Sequence, residues 1–295
     1  MFAVLLPVVA PIFVAVGLGW GWARLGWPFD TQVVTRLVTY IATPALVFSS
    51  LAKLSVAPEA LTGMAAAAVA AVATFLVVGA IVLRLSRLSI PTYLPLIAFP
   101  NTGNMGLPLS LFAFGQEGLG LAVVFFSVFA IVMMTLGLWL VSGSGSPRPA
   151  LSTPLPYAVV AAGLFHLAGG APEWLLNTTG LLGDMTIPLM LVALGVSLAR
   201  MRITRLPRAA AIAGLRLGFG FAVGVALAEI LGLDEVARGV LIIECSMPVA
   251  VFTYLFAHLY DRAPDEAASA IVLSTLVSFA TLPLLLAFVL GGGAP

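Results

Sequence analysis

The stretch FPNTGNMGLPL, Phe99 to Leu109, sits inside one long apolar run and yet holds two prolines, two glycines and two asparagines. Glycine and proline are the poorest helix formers, and proline lacks the amide N–H that a helix uses. A continuous helix through these residues is not expected. The reading is a helix that starts, breaks in mid-run and starts again. In hydrocarbon such a break is tolerated only inside protein or beside a cavity, because lipid offers nothing to a loose backbone group. The stretch therefore predicts an interior polar site in a membrane-embedded bundle.

The rest of the chain agrees with that solvent. Of 295 residues, 61% are hydrophobic and 8% charged, against about 25% charged in an average soluble domain. A formal net charge of +1 leaves no basic face for phosphates, so no nucleic-acid partner is expected. One cysteine, Cys245, and two histidines, His166 and His258, make neither a disulfide nor a metal cluster, and no cofactor is expected. Ten segments come near the roughly 20 apolar residues that a bilayer crossing needs. They are 2–23, 31–51, 60–83, 91–113 and 117–141, then 154–170, 174–199, 208–231, 236–259 and 266–290. The first lacks a basic leader and is interrupted by Pro7 and Pro11, so it reads as a span and not as a cleaved signal. Ser, Gly and Pro dominate 142–156, which reads as a linker too short for a soluble domain.

Charge placement gives an orientation. Nine arginines, from Arg24 to Arg262, fall in the loops after the odd-numbered spans, and only Lys53 and Arg238 fall on the other side. The positive-inside rule then sets the linker in the cytoplasm and both termini outside an inner (plasma) membrane.

The two halves look like copies. Pro44 and Pro188 lie 144 positions apart, and Pro108 and Pro248 lie 140 apart. Five spans per copy is an odd number, so the second copy enters the membrane inverted. The expected fold is an all-α membrane protein of ten helices in a 5+5 inverted repeat, 1–141 and 157–295, with spans four and nine broken. A helical proline leaves the carbonyl four residues earlier without a donor. On that reading Pro108 releases Asn104, Pro248 releases Glu244, Pro44 releases Tyr40 and Pro188 releases Asp184. Three of these four carry polar side chains suited to a site, and the four prolines are the expected helix breaks.

At this point the sequence resembles the auxin efflux carrier family of membrane transporters, including its bacterial members. The residues that carry the resemblance are PNTGNMGLPLSLFAFGQEGL (Pro100 to Leu119), Pro44 with Phe48, and Met247 to Leu276. The resemblance implies a fold similar to that of bile-acid sodium symporters, with spans four and nine crossing at their breaks. Spans one, two, six and seven (about 2–51 and 154–199) would be a scaffold. The other six (about 60–141 and 208–290) would be a mobile transport domain in an elevator-type cycle, in a homodimer. It implies an organic anion as cargo, and it sets Asn101, Pro108 and Pro248 on family motif positions. The long hydrophilic loop of the plant members is missing, and Val249 stands where a polar residue is expected, so auxin itself is not the expected cargo.

The expected substrate-binding residues are Asn101, Gly103, Asn104 and Met105, with Ser49, Ser50 and Ser246 on facing spans. Asparagine donates and accepts, which suits it to a site as well as to helix-to-helix hydrogen bonding. A carboxyl at mid-membrane marks an ion or substrate pathway, so Glu244 and Asp184 are the expected ion-coupling groups. Glu244 can carry a proton, or stay ionised beside a sodium ion held near Asn104. Arg216 reads as a counter-ion to either carboxyl or to a substrate, or as a side chain snorkelling to the interface. The rival reading is a sodium-coupled bile-acid-type symporter, with a ligand sensor behind it. An intramembrane enzyme is not expected: GxGD, HExxH and DDxxD are all missing, and Gly180 to Asp184 reads GLLGD.

Overall fold

A computed structural model of the chain describes residues 2–53, 58–142 and 153–291. Among them every regular element is helical, and the one β-type contact is an isolated antiparallel bridge between Pro100 and Val249. Helix α1 is Phe2–Arg24 and α2 is Thr31–Leu37. The latter starts at Asp30, whose carboxylate accepts from the amides of Gln32 and Val33 at 2.8 and 3.0 Å, which satisfies two otherwise orphan donors. A π-turn, Val38–Ala42, leads into α3, Thr43–Lys53. Helices α4 (Pro58–Leu85) and α5 (Ile90–Ala98) follow. A second π-turn, Thr102–Gly106, opens α6 (Leu107–Val132), and a third, Met133–Gly137, leads into α7 (Leu138–Ser142). Beyond the linker come α8 (Leu155–Leu167), α9 (Glu173–Gly183), α10 (Thr186–Arg200), α11 (Leu206–Leu231), α12 (Glu235–Cys245), α13 (Phe252–Leu259) and α14 (Pro264–Gly291).

Seven helical runs among the described residues are long and apolar enough to cross a membrane. The longest, Thr102–Ser142, has 41 residues, and at 1.5 Å each it would measure roughly 60 Å, about twice the hydrocarbon thickness. Gly115 divides it: at φ 65° and ψ −151° the backbone leaves the helix. That conformation is open essentially only to glycine.

The helices pack through small residues, as expected where the solvent on both sides is apolar. A Cβ on Gly19 would run into the backbone of Val192, and one on Gly195 into the backbone of Val16, so α1 and α10 touch main chain to main chain. Gly183 of α9 lies likewise against Leu46 of α3, whose Cα a Cβ at Gly183 would approach to 2.7 Å. The interior is filled from α4, α5, α6, α11 and α12, with Phe75, Phe129 and Phe219 edge to face.

Three of the four expected proline breaks need correction. Pro44 does not break its helix: Thr31–Lys53 runs on as one helical stretch, because the preceding π-turn lets the Thr43 amide reach back to Val38 and widens the helix ahead of the proline ring. Tyr40 faces outward, 51% exposed, and joins no interior site. Pro248 lies outside any helix, since α12 has already ended at Cys245. The Glu244 carbonyl is consequently not released by it, and it accepts from the Met247 amide at 3.4 Å. Pro108 does not break its helix either: it lies inside the continuous run Thr102–Ser142, and the π-turn ahead of it lets the Leu107 amide reach back to Thr102, so the break falls earlier, at Phe99–Asn101. Pro188 is the third residue of α10, a first-turn position where a missing N–H costs little.

Candidate functional site

The interruptions at Phe99–Asn101 and Ser246–Val251 meet. The Asn101 amide donates to the Pro248 carbonyl at 2.7 Å, and the Ala250 amide donates to the Phe99 carbonyl at 3.0 Å. Pro100 and Pro248 have no N–H to offer, so their neighbours' amides make the pairing. Four helix ends converge on this point. The C-termini of α5 and α12 arrive, and the N-termini at Thr102 and Phe252 depart.

The departing ends border a cavity of about 90 Å³. Its walls include Asn101, Gly103, Asn104, Thr43, Met190 and Phe252, and among the described residues no Asp, Glu, Lys or Arg. Asn101 is 4% exposed, and its Nδ2 has no hydrogen-bond partner. Helix N-termini present backbone N–H groups and the positive end of the helix dipole. Together with a free amide donor among described walls that carry no charge, they suit an anion. Gly103 leaves room for Met190 and Phe126, which a Cβ would approach to 2.9 and 3.1 Å.

The other expected site residues fall elsewhere. Met105 is wholly buried outside the walls of this cavity, and the Ser246 hydroxyl donates to Ile242 of its own helix at 2.6 Å. Ser49, Ser50, Asp184 and Pro188 line a second cavity of about 840 Å³, together with Lys53, Glu117 and Asp234. Asp184 is exposed there, beside the offset between α9 and α10. One base against three acids makes this space net acidic.

Glu244 and Arg216 form a third place, in the core. Both are 0% exposed. The Glu244 carboxyl lies beside the Ser110 hydroxyl and packs against Gly106, where a Cβ would run into it; among the described residues no well-aligned hydrogen bond reaches either of its oxygens. Arg216 donates to the carbonyls of Ile97 and Cys245, and its guanidinium lies 4.3 Å from the centroid of the Phe75 ring. It does not snorkel, and among the described residues no ion pair joins it to a carboxyl. Asn104 borders the first cavity while Glu244 lies outside its walls, so the two do not share the space expected for a sodium ion. Sequence reading missed Gly106 and Ser110 as neighbours of Glu244. Their spacing of four, which sets them on one helix face, was the available signal.

The chain matches the family model described as membrane transport protein over residues 4–155 and 150–286. It is similar to an uncharacterized transporter of Methanothermobacter thermautotrophicus, 28% identical over 269 residues that cover 86% of this chain and 88% of the relative. It is also similar to an uncharacterized transporter of Methanocaldococcus jannaschii, 23% identical over 270 residues with the same coverage of both chains.

Proposed function

Because this chain belongs to the membrane transport protein family, we propose that it carries a small organic anion across the membrane by alternating access, bound beside Asn101 where the two interruptions pair. The family and both relatives are described as transporters, so the chain is an integral membrane transporter and not an enzyme. The observation that carries the anion reading is the convergence of two helix N-termini and an unpartnered amide on a cavity whose described lining holds no charged side chain.

In this reading the chain makes ten passes as two inverted five-helix copies, and 90–114 and 235–259 are the broken fourth and ninth. The most extensive helix contacts support two sets. They join α1 with α10, and α3 with α8 and α9, on one side. On the other they join α4 with α6, and α11 with α12 and α14. The first set is the scaffold, the second the elevator, and the protein works as a homodimer with both termini outside the inner membrane. Glu244 is the coupling group. An unpaired carboxylate is far costlier to bury than the acid, so the form that fits its surroundings is the neutral one, and the coupling ion is the proton.

The test is thermal-shift screening of purified protein against mono- and dicarboxylates and their methyl esters. A ligand that binds the folded state raises the melting temperature. Free acids should stabilise and esters should not, and Asn101→Leu should weaken the response about tenfold, the loss of one charge-assisted hydrogen bond. Stabilisation by organic amines instead would reject the anion reading and move the site to the acidic second cavity.

A further inference from the structure

Two of the four helix ends at the crossing are C-termini, the last turns of α5 and α12. Each helix C-terminus carries about half a negative elementary charge on carbonyls that the helix itself cannot satisfy. Buried carbonyls need a donor or a cation. In carriers built from discontinuous helices, such half-helix C-termini are where a coupling cation is commonly held.

Here that seat is filled by the chain. The Arg216 guanidinium donates to Ile97 in the last turn of α5 and to Cys245 at the end of α12. Two half charges sum to about −1, which one guanidinium balances. The face of Phe75 closes one side, 4.3 Å from the guanidinium carbon. Gly220, one turn along α11, clears the space: a Cβ there would collide with both the guanidinium and the Cys245 carbonyl. The group is 0% exposed, and a guanidinium holds its proton more firmly than any other side-chain base.

We propose that Arg216 is a built-in cation that replaces a metal ion at the crossing, joining the carbonyl ends of the two interrupted helices so that the transporter holds together and cycles without bound sodium. It does not depend on where the cargo binds, since it concerns the carbonyl ends and not the cavity at the N-termini.

The experiment measures the melting temperature of the wild type and of Arg216→Met in sodium, potassium and choline chloride at equal ionic strength, with and without low-millimolar guanidinium. The wild type should be indifferent to the cation. Arg216→Met should melt on the order of 10 °C lower, as when one partner of a buried charged contact is removed. Guanidinium, which fits the vacated seat, should recover part of that loss. Saturable stabilisation of the wild type by sodium overturns the proposal, as does an Arg216→Met protein that melts with the wild type or that guanidinium leaves unchanged. If Arg216→Met does not fold, the wild-type comparison decides alone: sodium indifference supports the proposal and sodium stabilisation rejects it.

Discussion

Gly106 has no side chain, and the Glu244 carboxyl occupies the room where one would be. That contact gives the carboxyl its room in the core, next to the Ser110 hydroxyl. Glu244→Gln keeps the shape and removes the exchangeable proton. In proteoliposomes the variant should assemble and melt like the wild type but lose the dependence of uptake on the pH gradient; wild-type gradient dependence in the variant would remove Glu244 from the coupling step. Glu244 was legible as a lone acid in an apolar run, because a charge in hydrocarbon stands out in any sequence. Arg216 was equally visible, but its partners were not. They are main-chain carbonyls, 119 and 29 positions away, and a backbone oxygen leaves no mark in the sequence.

The helices show what local chemistry can say. The expected boundary between spans four and five, 114–116, falls on Gly115, where the backbone turns at φ 65°. Gly115→Ala should destabilise by about 1–3 kcal/mol, read as a lower melting temperature, and a neutral outcome would mean that the turn does not need glycine. A proline, by contrast, shows only that one amide is missing. It does not say whether the helix breaks, as before α10, or widens into a π-turn, as at Val38–Ala42. Both answers leave a proline without an unmet bond, and the neighbours choose between them. The π-turns therefore lay beyond sequence reading, and so did the end of α12 three residues ahead of Pro248.

Across the whole molecule, the expected site residues divide among a cavity at the crossing, an acidic cavity reached by Ser49, Ser50 and Asp184, and the sealed core, which holds Arg216 and Glu244 separately. In an alternating-access cycle the cavities should differ in their access to water. Ser50→Cys should react rapidly with a hydrophilic thiol reagent, whereas Cys245, 0% exposed, should stay unlabelled until the protein unfolds. Equal rates at the two positions would show that the crossing opens to water as freely as the acidic cavity does.

The sequence by itself determined the apolar surroundings, the helical class and the presence of an interruption within Phe99–Leu109. Each of these follows from side-chain transfer energies and backbone chemistry that act over one turn or one span. Only the tertiary structure decided that the two interruptions hydrogen-bond to each other, that Asn101 keeps a free donor at two helix N-termini, and that Arg216 joins two helix C-termini. Those are contacts between carbonyls and amides far apart in the chain, and every residue carries the same main-chain groups, so packing alone selects which of them meet.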